Sequence, residues 1–159
     1  MKASWRTAWQ GQDIVVWRED DEVDRLPSAQ IRRVILVHRD GGESPTDLVH
    51  ALVQLDDEWL VLPPETGFAG RVHFERHAFW AEKSCIYWVA ESQARLPPRL
   101  RRGRIFKREP LYAHATRDEM DPAVERWPLE GPQTWEQRKW NRIEARRPFA
   151  PLVQERRRA

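Results

Sequence analysis

The sequence predicts an α+β domain: a mainly antiparallel β-sheet, arranged as a small half-barrel or sandwich, with two C-terminal helices. Three observations predict it. Up to residue 115 the chain runs in short apolar or alternating stretches rich in Val, Ile and Trp, divided by Gly, Pro and Asp. The connections between these stretches are short turns, which favours antiparallel neighbours over crossover units. Beyond residue 115 the pattern changes to helix-capping signals closed by prolines. At 159 residues the chain is sized for one domain. The expected division is a β-rich domain over 1–115, a helical arm over 116–148 packed on it, and a flexible basic tail over 149–159.

The elements follow in order. Trp5 and Trp9 lie in a polar N-terminal segment to which no element is assigned. Asp13–Arg18 (DIVVWR) reads as a strand, and the acidic run Glu19–Asp24, with Leu26-Pro27-Ser28, as a loop. Ile31–His38 (IRRVILVH) is a second strand, rich in β-branched residues. Asp40–Thr46 carries turn chemistry: glycines supply positive φ and Pro45 blocks continuation. It lacks the GxxxxGK[ST] frame of a phosphate loop. Leu48–Leu55 alternates, placing Val49, Ala51, Val53 and Leu55 on one face and His50 and Gln54 on the other. Asp56-Asp57 turns it into Glu58–Leu62, the clearest hairpin in the chain.

Further along, Arg71–Glu75 reads as a strand running on toward Trp80, and Cys85–Ala90 (CIYWVA) as a buried strand. Arg104–Lys107 and Leu111–His114 are candidate edge strands, kept short by Pro110. Thr116-Arg117-Asp118-Glu119 has capping-box spacing, and Asp121-Pro122 offers an alternative N-cap followed by proline at the first helical position. The helix either opens runs to Trp127, before Pro128. Thr134-Trp135-Glu136-Gln137 repeats the capping spacing and opens a helix over Trp135–Arg147. On that helix Trp135, Trp140 and Ile143 form one apolar stripe, with Arg138, Arg142 and Arg146 mostly off it.

Composition excludes several classes of function. The longest apolar runs fall far short of the ~20 residues of a membrane helix, so no membrane partner is expected. The N-terminus carries no apolar leader pattern. One cysteine allows no internal disulfide and no multi-cysteine metal knuckle, and a reducing, cytoplasmic location is the expectation. No cofactor motif is present, and neither a cofactor nor a metal is expected.

Charge is unevenly spread. Residues 1–79 hold 9 basic and 14 acidic side chains, and residues 80–159 hold 18 and 11. The acid concentrates in Glu19–Asp24. The base concentrates in Arg95, Arg99, Arg101, Arg102, Arg104, Lys107 and Arg108, with no acid between Glu91 and Glu109. Such a cationic ridge is the candidate site for an anion or a nucleic acid, because phosphate backbones are gripped by dense Arg and Lys. Phe106 and Tyr112 are the aromatics placed to stack on unpaired bases. Nine tryptophans are unusual at this length. Trp and Arg dominate interaction hot spots, so Trp127, Trp135 and Trp140, with Arg138 and Arg142, are candidate partner-binding residues. A homo-oligomer joining the acidic 19–24 segment to the basic half is a further expectation.

Catalytic chemistry has weaker support. His73-Phe74-Glu75-Arg76-His77 would bring two imidazoles to one ion on a helix, but holds them about 13 Å apart on the strand expected there. Cys85 opens an apolar run, where cysteine serves as a small hydrophobe more often than as a nucleophile. The expected function is therefore a non-enzymatic binding module presenting Arg and Trp to a protein or anionic partner. The alternatives are nucleic-acid binding through residues 95–108, and a small metal-dependent or thiol hydrolase using His73, His77 and Cys85.

Overall fold

The computed structural model describes residues 4–42, 44–63, 74, 76, 81–101, 112–134, 137, 138, 140 and 141. Among these, eight strands form two sheets. Trp5–Gln10 (β1), Asp13–Arg18 (β2) and Asp21–Pro27 (β3) make an antiparallel meander. Arg33–His38 (β4), Leu48–Gln54 (β5), Glu58–Leu62 (β6), Ile86–Ala90 (β7) and Ala113–Thr116 (β8) make a sheet of order β7-β4-β5-β6-β8. A helix, Arg117–Val124 (α1), follows β8 directly. The fold class is thus α+β, mainly antiparallel, with no closed barrel; of the described strand pairs, β4 with β7 is parallel.

β1 and β3 are the strands the sequence pattern conceals. Trp5, Thr7 and Trp9 share one face of β1. Trp5 is buried and Trp9 packs against the core, while Arg6 and Gln10 stay outside. The two-residue turn into β2 places Gly11 at φ +62, a value that favours glycine at the first centre of a hairpin turn. The acidic stretch, expected as a loop, is instead mostly strand: Asp21, Glu22 and Asp24 all pair with β2. It lies at the edge of its sheet, and of the β3 residues only Leu26 is buried. An edge strand bearing charge is what discourages unwanted sheet pairing.

A bulge corrects the expected faces of β5. The register with β4 shifts between Val37 and His38, so that His38 opposes Leu48 and Val37 opposes His50. The extra residue turns Val49 to the face opposite Ala51, Val53 and Leu55. A second correction falls at 71–75, where the pattern predicts a strand: Phe74 and Arg76 are helical. The expected edge strand at 111–114 is displaced to Ala113–Thr116. Arg104–Lys107 lies outside the described residues.

The five-stranded sheet is the middle layer. On one face, Val34, Leu36, Val53, Leu60, Ile86 and Trp88 pack against Ile14, Val16 and Leu26 of the three-stranded sheet. On the other, Ile35, Val37, Leu52, Trp59, Val61 and Val89 meet Leu96, Leu100, Met120, Val124 and Trp127. Burial on both faces is why β4 and β6 read as nearly unbroken apolar runs. Trp59 and Trp88 are fully buried. Each indole removes on the order of 200 Å² from water, which at ~25 cal/mol per Å² is about 5 kcal/mol of gross stabilisation.

Both helix-capping signals are realised. Thr116 Oγ1 accepts from Glu119 N–H at 3.1 Å, and Thr134 Oγ1 from Gln137 N–H at 3.1 Å. Thr116 rather than Asp121 is therefore the N-cap, and Pro122 falls inside α1. Residues 137, 138, 140 and 141 are helical; the rest of the expected second helix and the tail lie outside the described residues. Between the helices the chain caps the edge of β7. Glu130 exchanges both backbone hydrogen bonds with Trp88 at 2.8 Å, and Gln133 N–H donates to Ile86 O at 2.8 Å.

Candidate functional site

A cleft of about 440 Å³ opens between one side of α1 and the chain that precedes it. One wall is Glu119, Pro122 and Ala123 of α1, which share a face, with Arg126 in the turn that follows the helix. The next residue, Trp127, completes that wall. Met120 and Val124, one position on, face the sheet. The opposite wall is the proline-rich strap 95–101, stiffened by Pro97 and Pro98 and closed by a helical turn over 98–101. Leu96 and Leu100 of the strap are buried against the sheet, which leaves Arg95 and Arg101 on the cleft.

Three guanidinium groups therefore line the cleft, Arg95, Arg101 and Arg126, against one carboxylate, Glu119. Glu119 is already engaged. Arg99 holds it bidentately, Nε to Oε1 at 3.0 Å and Nη2 to Oε2 at 2.9 Å. Those hydrogen bonds hold its carboxyl below the usual glutamate range, aided by the N-terminal position on α1. Arg126 donates from Nε to Pro122 O at 3.2 Å, and its side chain is exposed. Arg101 is half-buried, and its Nε is buried with no hydrogen-bond partner among the described residues. A buried donor without a partner costs about 1–3 kcal/mol.

The residues singled out in the sequence are distributed as follows. Arg95 and Arg101 come together on the cleft. Arg99 is turned to Glu119 and to the His114 carbonyl, at 2.9 Å. Arg102, Arg104, Lys107 and Arg108, with Phe106, lie outside the described residues, as do Trp135 and Arg142. Of the aromatic group expected to face outward, Trp140 does so, at 50% exposure. Trp127 does not: at 7% exposure it packs beneath the cleft on the sheet. Arg126, in the turn after α1, is absent from the charge run that marks the others.

Arg138 is the largest correction. It falls off the apolar stripe of its helix, yet is 2% exposed. The stripe is read from one isolated helix, whereas Arg138 meets His38 at the bulged end of β4. Arg138 forms an ion pair with Glu130, stacks over Trp88 at 5.1 Å, and donates from Nη2 to His38 Nε2 at 2.8 Å. Because a guanidinium only donates, His38 Nε2 is the acceptor and the ring proton sits on Nδ1. Gly42, at φ +68, closes over this ring; a Cβ there would stand 2.7 Å from His38 Cγ.

Of the hydrolase candidates, Cys85 falls among the described residues. His73, Glu75 and His77 lie outside the described residues. Cys85 is 4% exposed in the core, and burial raises its thiol pKa against the opposing effect of Lys83. That is the reverse of what a nucleophile needs. Among the described residues no helix is long and apolar enough to cross a membrane. The acidic segment has partners within the chain: Asp24 meets Tyr112 and His114, and Glu22 meets Arg25.

The class defined by these observations is a layered α+β domain with an arginine-lined cleft beside its C-terminal helix. Compared with known protein families, curated proteins and solved structures, the chain matches none.

Proposed function

We propose that the chain is a non-enzymatic binding module whose cleft takes an anionic group of a partner, phosphate or carboxylate, between Arg95, Arg101 and Arg126. The observation that carries this reading is the charge balance of the walls. Three guanidinium forks face a cleft whose one carboxylate is already held by a fourth, Arg99. Arginine forks match the oxygens of phosphate and carboxylate bidentately. The prolines and Trp127 keep the walls rigid, so little side-chain order is lost on binding.

Titration of the full chain with inorganic tripolyphosphate at two salt concentrations tests this. The expected result is saturable binding that weakens as salt rises, and weakens by roughly tenfold in Arg101→Gln/Arg126→Gln. Equal affinity in the double variant, or no binding at low salt, overturns the reading. A single-stranded oligonucleotide in the same assay tells a nucleic acid from a smaller anion. Much tighter binding than tripolyphosphate, again lost in the double variant, would identify nucleic acid as the partner.

A further inference from the structure

We propose that His114 is a proton-operated latch between the two sheets, closed while its imidazole carries both protons and released when it gives one up. The geometry is a histidine held between carboxylates from two layers. His114 Nε2 lies 2.6 Å from Asp24 Oδ2, on the edge strand β3 of the three-stranded sheet. Its Nδ1 lies 3.0 Å from Glu58 Oε2, on β6 of the five-stranded sheet. A neutral imidazole has one N–H, so only the imidazolium can donate to both.

The other groups facing the ring complete the device. The Tyr112 hydroxyl donates to the same Asp24 Oδ2 at 2.5 Å and lies 3.3 Å from His114 Nε2. Burial and then the Asp24 bond push the Tyr112 phenol well above its ordinary range, so it remains a donor. Tyr112 in turn stacks on Trp5 of β1, with centroids 5.1 Å apart. On the opposite side Arg99 holds the His114 backbone carbonyl, which keeps the ring's base in place.

Asp24 Oδ2 is already served by Tyr112. Glu58 receives no other side-chain hydrogen bond among the described residues. The proton remaining on a neutral ring therefore stays on Nδ1, and the hydrogen bond to Asp24 is the one that breaks. A bare nitrogen then faces a carboxylate oxygen across the seam between the sheets, and β3 is released. Partial burial works against the imidazolium, but the bond to Glu58 and the charges of Asp24 and Glu58 outweigh it and raise the His114 pKa. The latch contribution is thus complete below the ordinary histidine value of ~6.5 and is lost as pH rises through the higher folded value.

Side-chain NMR of the intact protein follows the His114 nitrogens directly, while amide exchange protection factors follow β3 and β1. His114 should titrate above the ordinary histidine value, and the amides of β3 should lose protection at that same midpoint while those of β1 do not. Relative to His114→Gln, the wild-type unfolding constant should rise roughly threefold to tenfold from pH 6 to pH 9, as befits a partly exposed charged pair. The difference cancels the titration of the remaining histidines. Titration of His114 at or below the ordinary value, or β3 protection unchanged across its midpoint, overturns the proposal. So does a wild-type-to-variant difference that is the same at both pH values.

Discussion

Gly42→Ala tests the packing of the buried His38–Arg138 pair. Gly42 sits at φ +68, where an L side chain costs about 1–2 kcal/mol by clash with its own backbone. Its new Cβ would also fall 2.7 Å from Cγ and 2.8 Å from Nδ1 of His38. Those are ring atoms, not the end of a flexible chain. His38 is 2% exposed and accepts the Arg138 hydrogen bond at 2.8 Å, so the ring can yield only by giving up that bond. Losing a buried hydrogen bond to a charged group costs about 1.5–3 kcal/mol. Together these amount to about 2.5–5 kcal/mol, a large part of the 5–15 kcal/mol typical of a domain.

The control is Gly11→Ala. Gly11 has nearly the same φ, +62, but nothing lies within 4 Å of its added Cβ. It should cost only the backbone share, about 1–2 kcal/mol. Urea unfolding followed by tryptophan fluorescence gives both values, and the difference between them isolates the His38 contribution. Equal losses in the two variants would refute the reasoning, because the close approach would then carry no energy.

Two other perturbations bear on α1. Thr116→Ala removes the oxygen that accepts from Glu119 N–H and should cost about 1 kcal/mol in the same urea assay, with Thr116→Ser near wild type. Asp121 is held below the usual aspartate range, chiefly by the Arg117 side chain and further by the Trp59 indole N–H at 2.6 Å. Its stabilising contribution is present above the unfolded aspartate value of ~3.9 and disappears as pH falls through the lower folded value. Acid unfolding of Asp121→Asn should therefore converge with wild type at the low-pH end and diverge above pH ~4. A constant offset throughout would count against that assignment.

Local pattern made much of this molecule legible. Alternating apolar residues marked β2, β4, β5, β6 and β7, because a strand buried on one or both faces must show its period or an apolar run. The Thr116 and Thr134 caps were readable because a cap is a contact between residues three apart. β1 and β3 were not readable: β1 sets its two tryptophans among polar residues, and β3 is a charged edge strand that needs little apolar surface. The bulge at Val37/His38 was hidden as well, because it arises from pairing with a distant strand. Of the candidate site, Arg95 and Arg101 stood out as part of a charge run. Arg126 did not, because its role depends on how the turn after α1 meets the strap.

What the residues alone decided, then, is the element content and the class: short-period strands, two capped helices and a cationic second half follow from backbone propensity and from burial along single segments. What only the assembled molecule decided is which charges are free to act. Arg138 was drawn inside beside Trp88 and His38, Arg99 was bound to Glu119, and His114 was set between Asp24 and Glu58. Each of these depends on residues 20 to 100 positions apart. Electrostatic pairing is governed by distance in space and by local exclusion of water, neither of which is written in the order of the chain.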